Sequence, residues 1–207
     1  VAGDLREPVR VGPQAALVVL AVDTSGSMGA AERAAGARQA ARGLLVDAYQ
    51  RRDRVGVVTF RGTGAEVVLR PTSSTEVAAA RLASLPTGGR TPLGEGLRAA
   101  GELLAAGQRR GLRPVLVVVS DGRATWAPDG RDPVEDALDA ARTLARRGVS
   151  ALVVDCEGPR AGLGLAENLA QALEARRVTP AGAGGAELAG SVAAGLRGLA
   201  PGPGGSR

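Results

Sequence analysis

The feature that most constrains the fold is an apolar run that stops abruptly at an oxygen-rich loop. Every residue from Ala15 to Val22 is aliphatic. The run is too short to span a bilayer, and its valines fit a buried central strand. Immediately after it comes Asp23-Thr24-Ser25-Gly26-Ser27-Met28-Gly29. Asp23, Ser25 and Ser27 place oxygen side chains at alternate positions, and Gly26 lets the backbone turn sharply between them. One carboxylate and two hydroxyls suit a small hard cation, which takes oxygen ligands and keeps some waters. A Mg²⁺ site is predicted here, with Mn²⁺ or another divalent cation as the alternative occupant.

Two further stretches are expected to complete that site. A second apolar run, Val115 to Ser120, stops at Asp121-Gly122. The Gly-rich loop Pro86-Thr87-Gly88-Gly89-Arg90-Thr91-Pro92 leads into a helix at Pro92, a favoured first-turn residue. In sheets built from strands alternating with helices, ligands bind outside the carboxyl ends of the strands, at the point where strand order reverses. If the two Asp-terminated strands are neighbours, Asp23 and Asp121 share one rim, and Thr91 reaches it from the loop. The predicted ligand set is therefore Asp23, Ser25, Ser27, Thr91 and Asp121. Asp23 alone would read as a helix cap and Asp121-Gly122 alone as a turn; the combination points to metal.

What is missing narrows the chemistry further. The chain has no His, and since it has no Lys, all 26 basic residues are Arg. Without Lys there is no phosphate-gripping P-loop, hence no ATPase site, and without His there is no Ser-His-Asp triad and no His-containing zinc site. A phosphohydrolase built on the metal site would have only carboxylates as general base. Net charge is +5, yet the arginines are scattered among carboxylates and aromatics make up 1% of the chain. Nucleic acid is therefore not the expected partner, and an acidic protein surface is. Cys156 is the sole cysteine, which excludes an internal disulfide and favours a cytoplasmic location. No signal peptide or membrane span is visible.

Read in order, residues 1–14 form a polar lead-in or linker, 15–199 a single α/β domain, and 200–207 a Gly/Pro-rich tail expected to be disordered. Strands are predicted near 15–22, 55–60, 65–69, 115–120 and 149–154, with a short one at Val178. Helices are predicted over 30–51, 74–85, 92–108, 133–147, 163–175 and 186–199. The few residues between the second and third strands require an antiparallel hairpin. The remaining alternation predicts a mostly parallel central sheet with helices on both faces. Gly94-Glu95-Gly96-Leu97-Arg98-Ala99 fits a dinucleotide-binding spacing but lies inside a helix and follows no strand, so it is rejected. Cys156 reads as an inert apolar residue, and Glu135, Asp136 and Asp139 read as the solvated first turns of a helix. Arg51, Arg52 and Arg54 read as a surface turn. Trp126, in the loop after Asp121, reads equally as a contact residue or as packing over that loop.

At Asp23, Ser25, Ser27, Thr91 and Asp121 the chain resembles the von Willebrand factor A, or integrin I-like, domain. Longer stretches narrow the likeness. The segments Leu45 to Val55, Thr59 to Glu66 and Leu85 to Leu93 are similar to the C-terminal domain of the magnesium chelatase D subunit and of related cobaltochelatase proteins. The similarity runs from Asp4 to about Val178. It implies a Rossmann-like fold, a mostly parallel sheet with one antiparallel edge strand and helices on both faces, and a metal-ion-dependent adhesion site. It also implies a role: a metal-dependent interaction domain that couples an AAA+ ATPase motor subunit to the large catalytic subunit of a tetrapyrrole metal chelatase. In that role a partner's acidic residue fills the open position on the ion. The chain carries neither the AAA+ module nor the acidic Pro-rich linker of that subunit. It reads as a non-catalytic piece of it or as a stand-alone relative. The alternative is a generic von Willebrand A adaptor for another AAA+ ATPase, with no tetrapyrrole link.

Overall fold

The computed structural model describes residues 14–26, 30–156, 164–182 and 184–199. The expected tail and all of the lead-in but Gln14 lie outside those residues, as do Ser27 and the side chain of Tyr49. Six strands form one sheet: β1 (Ala16–Asp23), β2 (Arg54–Arg61), β3 (Gly64–Thr72), β4 (Arg113–Ser120), β5 (Ser150–Asp155) and β6 (Arg176–Val178). Their spatial order is β3-β2-β1-β4-β5-β6. All neighbours run parallel except β2 and β3, which form the expected antiparallel hairpin and put β3 at one edge. The first run is thus a central strand, buried along its whole length.

Among the described residues the α-helices are α1 (Ala30–Arg51), α2 (Thr75–Arg81), α3 (Leu93–Gln108), α4 (Pro133–Arg146), α5 (Leu165–Ala172) and α6 (Gly185–Arg197). Because strand side chains alternate, β1 feeds two cores. Ala16, Val18, Leu20 and Val22 face α1 and α6, where they meet Ala34, Ala37, Ala41, Leu45 and Val192. Leu17, Val19 and Ala21 face α3, α4 and α5, against Leu97, Leu104, Ala141 and Leu169. With so few aromatics, small and branched aliphatic side chains fill both layers, and Phe60 is the sole phenylalanine, fully buried.

Caps follow the local chemistry. Ser74 accepts a hydrogen bond from the Val77 amide to start α2, and Asp132 accepts from the Val134 and Glu135 amides to start α4. Pro92 differs slightly from expectation. It stands at the cap position with ψ 66°, one residue before the helix proper, and supplies no side-chain cap. A 3₁₀ turn at Pro128–Gly130 is an addition to the elements expected from the sequence. The reading of Asp136 as solvated is corrected. Its side chain is 1% exposed and pairs with Arg98 at 2.6 Å and with Arg131, tying the start of α4 to the start of α3. A first-turn carboxylate normally faces water, but here two arginines from outside its own turn satisfy it.

Gly96 sits where α3 crosses Phe60, and a Cβ there would lie 2.4 Å from the ring's Cδ1. Gly96→Ala gains helix propensity of about 1 kcal/mol but overpacks a ring that has nowhere to go. We expect net destabilisation of about 1–2 kcal/mol, seen as a fall in melting temperature of roughly 3–6 °C. An unchanged or higher melting temperature would show that the Phe60 layer has slack.

Candidate functional site

β1 and β4 pair directly, with Val22 opposite Val119. One residue further, Asp23 stands beside Ser120, and Asp121 follows on the same rim. The neighbour relation that the sequence argument needed is therefore present. It falls where the strand order reverses, since β1 connects through α1 to β2 on one side and lies against β4 on the other.

Each loop is fixed by main-chain hydrogen bonds. The Thr24 amide donates to the Phe60 carbonyl at 3.2 Å, which ties the first loop to the end of β2. The Gly26 amide donates to Gly89 O at 2.9 Å, and the Gly88 amide donates to Thr24 O at 2.8 Å. The Gly-Gly loop is thereby laid against the Asp23 loop. Thr91 is anchored on its other side, because its amide donates to Thr125 Oγ1 at 2.8 Å and its carbonyl accepts from the Thr125 amide at 3.0 Å. The Thr91 hydroxyl consequently reaches the Ser25 hydroxyl and donates to it at 2.9 Å.

Asp23 is the centre of the cluster and is 1% exposed. Its Oδ1 accepts from the Ser25 amide at 2.9 Å, and its Oδ2 accepts from the Ser120 hydroxyl at 3.2 Å. The Arg33 guanidinium, on α1, approaches Oδ1 only to 3.9 Å. Burial pushes the Asp23 carboxyl above its ordinary range; the Ser25 hydrogen bonds and Arg33 pull it back, and the Asp121 charge adds to the rise. Asp121 is also buried, its Oδ1 accepting from the Arg123 amide at 3.0 Å and its Oδ2 lying 3.6 Å from Arg123 Nε.

Four of the five predicted residues are thus brought to one rim: Asp23, Ser25, Thr91 and Asp121. Ser27 lies outside the described residues. The donor set is two carboxylates and two hydroxyls, all hard oxygens. Its main carboxylate is buried with two neutral hydrogen bonds and a loose arginine contact, a charge that a cation would compensate. Among the described residues no three Asp, Glu, Cys or His side chains gather as a carboxylate-rich metal cluster would. Any ion here would lean on hydroxyls and water as much as on carboxylates. Cys156 is no competing ligand: burial pushes its thiol up to about 12, and its amide serves the sheet by donating to Ser120 O at 3.0 Å.

Three residues of the site were not found from the sequence. In the sequence Ser120 is only the end of a strand, yet its hydroxyl holds Asp23 and accepts from the Gly122 amide at 3.1 Å. A lone hydroxyl closing an apolar run was the available signal. Thr125 positions Thr91, and Arg33 donates from Nε to Asp23 O at 3.0 Å; no local pattern marks either. Trp126 is half-buried in the loop after Asp121.

Comparison with known proteins agrees with this architecture. Residues 18–123 match the family model of the von Willebrand factor type A domain. An uncharacterised Mycobacterium tuberculosis protein, Rv2850c, is 48% identical over 174 residues, covering 83% of this chain and 27% of that protein. The magnesium-chelatase 60 kDa subunit of Cereibacter sphaeroides is 42% identical over 143 residues, covering 67% of this chain and 25% of that subunit. The chain therefore spans about a quarter of the length of these two relatives. Among solved structures, the VWA domain of SpRpn10 superposes with a TM-score of 0.61 at 14% identity, covering 94% of this chain and 100% of that one. At that identity the likeness concerns the fold. No helix among the described residues is long and apolar enough to cross a membrane.

Proposed function

Since this chain belongs to the von Willebrand factor type A domain family, we propose that it is a metal-dependent protein-binding domain serving a magnesium-chelatase-like assembly. The observation that carries this reading is the convergence of three loops on one oxygen-lined rim around a buried, under-compensated carboxylate. Asp23, Ser25 and Ser27 would hold Mg²⁺ through the first loop. Thr91 and Asp121 would bind it directly or through water. A divalent ion held by these residues would supply a positive charge for an acidic side chain of the partner to bind. Everything else is done by the chain itself. The Gly26–Gly89 and Gly88–Thr24 hydrogen bonds keep the loops together, Ser120 holds the Asp23 carboxylate, and Arg33 holds the main-chain carbonyl of the same residue.

The relationship to the 60 kDa chelatase subunit supports the choice of assembly. On this reading the partner is an AAA+ motor subunit, and the complex acts on a large catalytic subunit that holds a tetrapyrrole. The Mg²⁺ of the rim is then an adhesion ion, distinct from the metal inserted as substrate. The domain itself would occupy residues 15–199.

The test is binding of the chain to a magnesium-chelatase ATPase subunit, in Mg²⁺ and then in EDTA, with Asp121→Ala alongside. We expect binding that EDTA abolishes and that Asp121→Ala weakens at least about tenfold, with an unchanged circular dichroism spectrum. Binding indifferent to EDTA and to Asp121 would move the contact off the rim. Uptake of Mg²⁺ without binding to that subunit would favour an adaptor for a different motor.

A further inference from the structure

Each carboxylate at the carboxyl end of β1, β4 and β5 has an arginine beside it. The pairs are Asp23 with Arg33 at 3.9 Å, Asp121 with Arg123 at 3.6 Å, and Asp155 with Arg177 at 2.7 Å. Two of these arginines are surface groups, with side chains 48% and 40% exposed for Arg123 and Arg177. They can swing into water when another cation arrives. Arg33 cannot, because its side chain is 5% exposed. Its Nε is held by the main-chain carbonyl of Asp23 at 3.0 Å, while its Nη2 faces Oδ1 of the same residue. A guanidinium does not lose its proton in a protein, so this is a permanent positive charge behind the principal carboxylate of the rim.

We infer that Arg33 is a positioning residue that presets Asp23 and holds down the affinity of the rim for divalent cations; this rests on the metal-binding reading given above. Two effects follow from one side chain. The bond to Asp23 O fixes the main chain at the first residue of the loop, so the carboxylate that the Ser25 amide and the Ser120 hydroxyl hold starts from a set position whether or not an ion is present. The charge offsets part of Asp23, so the loop does not depend on metal to fold, and a divalent ion must share that carboxylate with a like charge in a poorly hydrated place. Occupancy is then reversible and open to control by the partner's own carboxylate, which adds negative charge beside the ion that Arg33 does not offset.

The experiment compares wild type, Arg33→Gln, Arg33→Met and Arg33→Lys as full chains. Mg²⁺ affinity is read by calorimetry at constant pH, and melting temperature in EDTA. The two uncharged variants are expected to bind Mg²⁺ about tenfold more tightly than wild type while melting lower in EDTA. Arg33→Lys keeps the charge and is expected to stay within about twofold of wild-type affinity. A merely structural arginine would give weaker binding in every variant, and that result overturns the inference. So does Arg33→Lys tightening as much as Arg33→Gln, because the effect would then be one of shape. Failure of both uncharged variants to fold in saturating Mg²⁺ overturns it as well. If wild type takes up no Mg²⁺, the metal-binding reading itself falls; if wild type binds and the uncharged variants bind no better, only the role of Arg33 falls.

Discussion

Asp23→Asn is expected to abolish the response of the protein to Mg²⁺ and, without metal, to stabilise it. The asparagine is nearly isosteric. Its carbonyl oxygen can still accept from the Ser25 amide, and its amide can meet the Ser120 hydroxyl, which rotates to accept. What disappears is the buried negative charge. Because burial raises the Asp23 carboxyl above its ordinary value, the folded protein keeps a proton that the unfolded chain has already released. Stability therefore falls as pH rises from the ordinary carboxylate range through the raised value, and the whole penalty is present above it. Asp23→Asn has no such slope. In metal-free buffer at neutral pH the variant should melt above wild type, and the gap should close as the pH is lowered. With Mg²⁺ the order reverses. At a hundredfold excess over the dissociation constant, wild type gains about 2.7 kcal/mol, or roughly 5–10 °C for a chain of this size. The variant should gain nothing measurable, its affinity having dropped by more than the 10–100-fold that loss of a supporting group typically costs. Thermal melts across pH, with and without Mg²⁺, check each part. A variant that melts below wild type in EDTA would mean that the Arg33 contact outweighs the burial of the charge.

How much of this site the sequence showed depends on which interactions are local. The run from Ala15 to Val22 could only be a buried strand, and the extent of α1, Ala30–Arg51, could be read from its neighbours. Asp23 and Asp121 on one rim were predictable on the condition that the two Asp-terminated strands are neighbours, and the pairing of β1 with β4 meets it. The side chains that support the rim were not. Arg33 sits in the first turns of a helix, where acidic residues are favoured, and only its depth beneath Asp23 gives it a role. Thr125 meets Thr91 across 34 residues of sequence separation. Asp136 was misread for the same reason: a carboxylate in a helix's first turn belongs in water unless a distant cation claims it, and Arg98 is 38 positions away. Periodicity reports which face a residue lies on. It carries nothing about which polar partner waits there, and the supporting shell consists of such partners.

Gly122→Ala should produce the largest loss of stability among these variants and should damage the rim at the same time. Gly122 has φ +78°, a region costing a residue with a Cβ about 1–2 kcal/mol. A Cβ there would also lie 2.4 Å from Ala166 N and 2.5 Å from Leu165 C, both main-chain atoms in the first turn of α5. Backbone cannot rotate away as a side chain can, so the turn or the helix must shift, adding a cost on the order of 1–3 kcal/mol. The expected total of about 2–5 kcal/mol is a large part of the stability of a domain. The shift also has a direction. The Gly122 amide donates to Ser120 Oγ, whose hydroxyl donates to Asp23 Oδ2, and Asp121 is the adjoining residue. Moving the turn therefore withdraws one support from Asp23 and displaces Asp121. Gly130→Ala is the control: Gly130 has φ +68° with no atom within 4 Å of a new Cβ, so it bears the backbone penalty alone. Urea denaturation should place Gly122→Ala far below Gly130→Ala, and calorimetry should show Mg²⁺ affinity lost in the first and unchanged in the second. Equal destabilisation by the two substitutions would mean that α5 yields freely. The rim would then be held by its loops alone, without help from the helix packed behind them.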